Sequence, residues 1–93
     1  MPDSRTAAVT VHLVYLARLR EAFGRAGEAM TLPGADSSVA AILAVLSARG
    51  GPFEKELAAG RAVRVALNHA LVDADAAVRD GDEVALLPPV TGG

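Results

Sequence analysis

Asp80-Gly81-Asp82-Glu83-Val84-Ala85-Leu86-Leu87-Pro88-Pro89-Val90-Thr91-Gly92-Gly93 is the stretch on which the reading of this sequence turns. Asp80-Gly81-Asp82 is a strong turn signal, because aspartate hydrogen-bonds within its own turn and glycine accepts positive φ. Glu83 to Leu87 then alternates as a strand, with Val84 and Leu86 inward and Leu87 on the opposite face. Proline cannot continue a sheet ladder, so the chain is expected to leave the body at Pro88. The pair Pro88-Pro89 favours the extended polyproline form and projects the last four residues outward. Gly92 and Gly93 carry no side chain and fit a tunnel too narrow for other residues. Extended at about 3.1–3.5 Å per residue, Val90 to Gly93 reach on the order of 12–14 Å.

Working outward, Val63 to Leu67 reads as another strand, with Val63, Val65 and Leu67 inward and Arg64 and Ala66 outward. Asn68-His69 is a two-residue turn returning the chain as Ala70 to Val72. Asp73 to Val78 is expected to be irregular or a single helical turn. Upstream, Val39, Ile42, Leu43 and Leu46 form one apolar stripe at helical spacing. Asp36, Ser37 or Ser38 supplies its N-cap, and Gly50-Gly51 is expected to end it. Pro52 starts a second, short helix through Leu57, with Gly60 as its stop. At the front, Val9 to Ala17 is rich in β-branched residues and reads as a strand. Val9, Val11, Leu13, Tyr15 and Ala17 share its core face, while Thr10, His12, Val14 and Leu16 share the other. Arg18 to Phe23 is a short helical link ending at Gly24, and Glu28 to Leu32 is a strand closed by Pro33-Gly34. Residues 1–8 are read as a flexible lead, 9–87 as the folded domain and 88–93 as an extended tail. The order β-β-α-β-β-β, with one main helix packed on one face of a mixed sheet, is an α+β architecture. It fits the β-grasp, the ubiquitin-like fold.

Ninety-three residues hold one domain, and 52% hydrophobic with 22% charged residues is a globular composition. Mean hydropathy is positive, yet no apolar run approaches the ~20 residues of a spanning helix, so no membrane partner is expected. The start of the chain has acidic Asp3 and no cleavable apolar leader, which points to the cytoplasm. There is no cysteine and only two histidines, His12 and His69. That excludes a disulfide framework, a thiolate or histidine-rich metal site and a cysteine nucleophile. Asp80, Asp82 and Glu83 lack the distal ligands of a calcium loop. A net charge of −2 and three aromatics, Tyr15, Phe23 and Phe53, leave little for nucleic-acid binding. No bound metal or cofactor is expected. A complete active site is not expected in this chain alone; a binding, scaffold or carrier domain is.

The one reactive group that the tail offers is the α-carboxylate of Gly93. It is inert to nucleophiles until activated, for example as an adenylate, which sulfur or nitrogen then attacks. A chain that carries sulfur as a terminal thiocarboxylate needs no thiol of its own. A frayed Gly-Gly end is the plain alternative. Pro-Pro-Val-Thr-Gly-Gly placed directly after a turn and a strand favours the functional reading. Strand parity also places Val14, Leu16, Leu71 and Leu87 off the core face, as an exposed apolar patch of the kind that marks a partner surface. The alternative is that they pack under a loop. Arg18, Arg20 and Arg64 are candidates for acidic groups on a partner, against the default of a solvated surface. His12 and His69 read as surface and turn residues, and Lys55, the only lysine, as a helix surface charge.

The sequence resembles the MoaD family, the small subunit of molybdopterin synthase. The resemblance covers about residues 11–93. Its carriers are Val14-Tyr15-Leu16-Ala17 followed by Leu19-Arg20-Glu21, the strand end Ala66-Leu67-Asn68, and above all Asp80 to Gly93. Leu86-Leu87 departs from the aromatic pair common there. The resemblance implies a β-grasp carrier whose Gly93, with its slim neighbour Gly92, is adenylated by an E1-like, MoeB-like enzyme. A sulfur donor protein then converts it to a thiocarboxylate. It implies that Pro88, Pro89, Val90 and Thr91, with the patch, engage a MoaE-like large subunit in a heterotetramer. The sulfur passes there to cyclic pyranopterin monophosphate. Alternatives are a ThiS-like sulfur carrier for another pathway, a ubiquitin-like modifier joined to lysines, and a structural β-grasp domain with an inert tail.

Overall fold

Alternation of apolar and polar side chains builds the first strand, β1 (Ala8–Tyr15), which buries Val11, Leu13 and Tyr15 and leaves His12 exposed. In the computed structural model, which describes residues 8–34, 37–58 and 63–88, β1 is followed by the short helix α1 (Arg18–Phe23). Gly24 closes α1 in the left-handed conformation, φ 71°, with its N–H on the carbonyls of Arg20 and Glu21. The chain returns antiparallel as β2 (Gly27–Pro33). β2 is an edge strand, so Pro33 is tolerated there.

Ser38 caps the main helix, α2 (Val39–Ser47), its hydroxyl accepting the N–H of Ala41 at 3.1 Å. α2 buries Val39, Ile42 and Leu46. A second helix, α3 (Gly51–Leu57), comes next with Pro52 in its first turn. Then come β3 (Arg64–Leu67), β4 (Ala70–Val72) and β5 (Glu83–Leu87). The sheet order is β2-β1-β5-β3-β4. Only the central pair β1–β5 is parallel. This is the α+β, ubiquitin-like β-grasp arrangement, with one face of the sheet under the helices. Val11, Leu13, Tyr15, Val65, Val84 and Leu86 from the sheet share one core cluster with the helix residues.

Three details differ from the sequence reading. Ala8, assigned to the lead, is the first residue of β1 and pairs with Pro33. Ala17, assigned to the core face of the strand, is exposed; the strand stops at Tyr15. Ala17 has φ 51° and ψ −126°, and the Leu19 N–H reaches the Leu16 carbonyl at 3.1 Å. That is a type II′ turn, whose first central position favours glycine. Third, Gly50-Gly51 does not end α2. Ala48 does so in right-handed geometry, and Gly50, φ 76°, is instead the N-cap of α3. Of the N-cap candidates for α2, Ser38 is the one that caps; Ser37 is buried and donates to the Pro33 carbonyl at 2.7 Å. The candidates Asp36 and Gly60, and residues 1–7 of the lead, lie outside the described residues.

Candidate functional site

The pleat sets the site. β1, β5, β3 and β4 put their core residues under the helices, so the intervening residues form the opposite, open face. Val14 pairs with Ala85, Ala85 with Ala66, and Ala66 with Leu71, so one continuous apolar row crosses four strands. The next row holds Leu87 opposite Arg64, and Leu16 beside it, its N–H on the Leu86 carbonyl at 3.1 Å. Leu71 is 57% exposed and Leu16 38%, which makes them the accessible anchors. Val14 and Leu87 are half-buried. The four residues expected on one face therefore do share it, with two fully presented and two forming part of its base.

Ala85 and Ala66 form the floor of the row and were not singled out from sequence. Ala85 is buried although it faces away from the core. Its parity with Leu87 was the available signal. Gly27 faces Val14 from β2, and a Cβ there would lie 2.2 Å from the Leu13 carbonyl oxygen, so only glycine lets β2 come this close. Val45 is also exposed, at 43%, but it belongs to α2 and not to this face.

Pro88 is half-buried and comes directly after Leu87, at the row that carries Leu16 and Arg64. Pro89, Val90, Thr91, Gly92 and Gly93 lie outside the described residues. The strand from which they continue is the most embedded of the sheet, flanked by β1 and β3. The opposite end of β5 is fixed by polar groups. Asn68 donates to Asp82 at 3.0 Å and accepts the Glu83 N–H at 2.9 Å, while Asp80 accepts the Thr10 N–H at 2.8 Å. Asp82 also accepts the Arg79 N–H at 2.8 Å. The Asn68 and Arg79 donors hold the Asp82 carboxyl below its usual range. The turn aspartates thus serve structure. His69 lies 3.7 Å from Glu83 and is highly exposed.

Under the helices a polar node went unread in the sequence. Glu28 accepts two hydrogen bonds from Arg49, at 2.7 and 2.9 Å, and one from the Tyr15 hydroxyl at 2.5 Å. The Arg49 guanidinium, then Tyr15 and Arg25, hold the Glu28 carboxyl below its usual range against the opposing effect of burial. Burial, then the Glu28 carboxylate, pushes the Tyr15 hydroxyl up. Phe23 and Phe53 stack at 4.3 Å beside Tyr15, and Arg49 covers Phe53 at 4.9 Å from its centroid. This node ties β1 and β2 to the start of α3. Among the described residues no cluster of His, Asp or Glu is arranged to hold a metal, and no helix is long and apolar enough to cross a membrane.

The sequence pattern of the ThiS family matches residues 13–93. The chain is 32% identical, over 83 residues, to the molybdopterin synthase sulfur carrier subunit of Haemophilus influenzae, covering 89% of this chain and 99% of that one. Among solved structures it is similar to a putative molybdopterin converting factor, subunit 1, of Pyrococcus furiosus. That match has a TM-score of 0.73 and 28% identity, over 88% of this chain and 99% of the other. It is also similar to small archaeal modifier protein 1 of Haloferax volcanii, with a TM-score of 0.65 and 26% identity, over 88% and 99% of the two chains.

Proposed function

The chain belongs to the ThiS family of ubiquitin-like sulfur carriers, and from that premise we propose that it is the sulfur-carrier subunit of a molybdopterin synthase. The observation that carries the reading is the match to the Haemophilus influenzae carrier subunit, which extends over nearly the whole of both chains. The geometry supports it. A rigid central strand delivers Pro88 at the rim of an apolar face, so a partner that docks on that face receives the tail at a fixed position.

The chemistry derives from the proposed role of Gly93. Its carboxylate attacks the α-phosphorus of ATP on a MoeB-like enzyme, and pyrophosphate leaves. A persulfide on a donor protein displaces AMP from the acyl adenylate to give an acyl disulfide. A second thiol then attacks the donor's sulfur, releasing the thiocarboxylate and leaving the donor in a disulfide. In a MoaE-like large subunit that sulfur is transferred to cyclic pyranopterin monophosphate. Gly92 keeps the approach to the carbonyl unobstructed. The carrier supplies the sulfur and its placement; the large subunit supplies the substrate pocket.

Intact mass spectrometry after incubation with ATP, the E1-like enzyme and a sulfur donor tests the role. One oxygen should be replaced by one sulfur, on the C-terminal fragment. A modification elsewhere, or none, overturns the proposal. The likeness to the Haloferax modifier favours a second reading, attachment of Gly93 to lysine amines through the same adenylate. Isopeptide adducts carrying this chain would establish it. Sulfur transfer to a thiazole precursor, with none to the pterin, would instead assign the chain to a ThiS-like pathway.

A further inference from the structure

Three arginines are candidates for an acidic partner, and the fold separates them. Arg18 is engaged: its guanidinium lies 3.1 Å from the buried carboxylate of Glu56. Arg20 is on α1. Arg64 alone belongs to the open face, in register with Leu87, the residue before Pro88. It is exposed and makes no ion pair among the described residues. Asp73, just after β4, lines the same groove as Arg64 but is not within ion-pair distance.

We infer that Arg64 is a specificity determinant of the docking face, and that it pairs with a carboxylate on the large subunit at the entrance through which that subunit admits the tail. This rests on the carrier reading above and names the chemistry of its partner. The apolar row Val14–Ala85–Ala66–Leu71 excludes water when covered, and Arg64 stands at its border with Leu87. A guanidinium suits that position. Its stem lies over apolar surface while its planar fork binds a carboxylate through two parallel hydrogen bonds. An ion pair partly shielded from water in this way is stronger than an exposed one, and it fixes the register of docking. The opposite end of the face carries the reverse charge. Glu83 pairs in register with His12 there, close to Asp82 and His69. A partner with an acidic group at the tail entrance and none at the far end fits in one orientation. The reversed orientation would place its carboxylate against Glu83.

The test measures binding of the MoaE-like large subunit from the same organism to the full chain, at low and at high salt. Arg64→Ala should weaken binding about tenfold at low salt and Arg64→Glu about a hundredfold, with both losses shrinking in about 1 M salt as charges are screened. Arg64→Lys should recover part of the affinity, since the charge returns without the fork. Arg20→Ala serves as a cation-removal control, with a loss of less than about threefold expected. Melting temperatures of the free variants should be unchanged. Tight binding by wild type with unaltered binding by Arg64→Glu overturns the inference and leaves the carrier reading intact. No binding by wild type overturns the carrier reading, and the inference with it.

Discussion

At residue scale, Ala17 holds a backbone conformation that its own side chain opposes. With φ 51° and ψ −126° it occupies the glycine position of a II′ turn. Ala17→Gly should therefore stabilise the protein by about 1 kcal/mol, a rise in melting temperature of roughly 4–8 °C for a domain of this size. Thermal unfolding monitored by circular dichroism measures it, and a lower melting temperature would show the turn is not strained. Glu28 makes the second case. Its carboxyl titrates below the ordinary value of 4.5, so the folded protein releases this proton more readily than the unfolded chain. The stability it contributes is complete above about pH 4.5 and is lost as pH falls through the lower, folded value. Glu28→Gln should cost about 1.5–3 kcal/mol at pH 7, because Arg49 loses a charged partner, and the cost should shrink in acid. Urea unfolding of both proteins at pH 7 and pH 3 checks this. An equal difference at the two pH values would exclude a role for the charge. None of this node was legible in sequence: Tyr15, Glu28 and Arg49 are 13 and 21 residues apart, and only the fold brings them together.

At the scale of elements, the strands were legible because their period is two. Val11, Leu13 and Tyr15 on β1 and Val84 and Leu86 on β5 alternate cleanly with residues of the other face, and all five are buried. The same parity exposed the patch. It did not reveal Ala85 and Ala66 as the floor, because a methyl group contributes little apolar signal of its own. The end of β1 was misplaced for a related reason: Leu16-Ala17-Arg18 has no glycine to announce its turn. Gly50-Gly51 misled in the opposite sense, since positive φ is used there to begin α3 and not to end α2. The patch itself yields a prediction. Leu16→Glu and Leu71→Glu should lower affinity for the large subunit at least tenfold while leaving the monomer's melting temperature nearly unchanged. Each side chain is already exposed, so its burial of about 1.5–3 kcal/mol is realised only on association. Leu87→Glu should reduce both quantities, because Leu87 is half-buried in the monomer. Comparable losses of stability from all three substitutions would place Leu16 and Leu71 in the core.

At the scale of the whole molecule, recognition and chemistry are assigned to different parts. In the proposed role the sheet face selects the partner, and the residues beyond Pro88 enter it. Gly92→Val should leave affinity for the large subunit within about threefold, since the face is untouched, and reduce sulfur transfer by at least a hundredfold. A β-branched side chain widens the tail where the proposed tunnel is narrowest. Partner affinity and single-turnover transfer, measured on the same variant, separate the two. Normal transfer would show that no narrow passage exists. The sequence disclosed this division through Pro88-Pro89, but not the strand that supports it. β5 lies between β1 and β3, and its parallel ladder joins His12–Tyr15 to Glu83–Leu86, which are far apart along the chain. Until β5 is in place, β1–β2 and β3–β4 are two hairpins with no shared neighbour. On the ribosome, the residues that fill the gap are therefore made after every other strand. Closing so distant a contact late in synthesis means that a chain interrupted before β5 has neither the open apolar face nor the residues that follow it. Under the proposed carrier role, an unfinished chain therefore presents nothing to an activating enzyme, and completion of β5 precedes any use of Gly93.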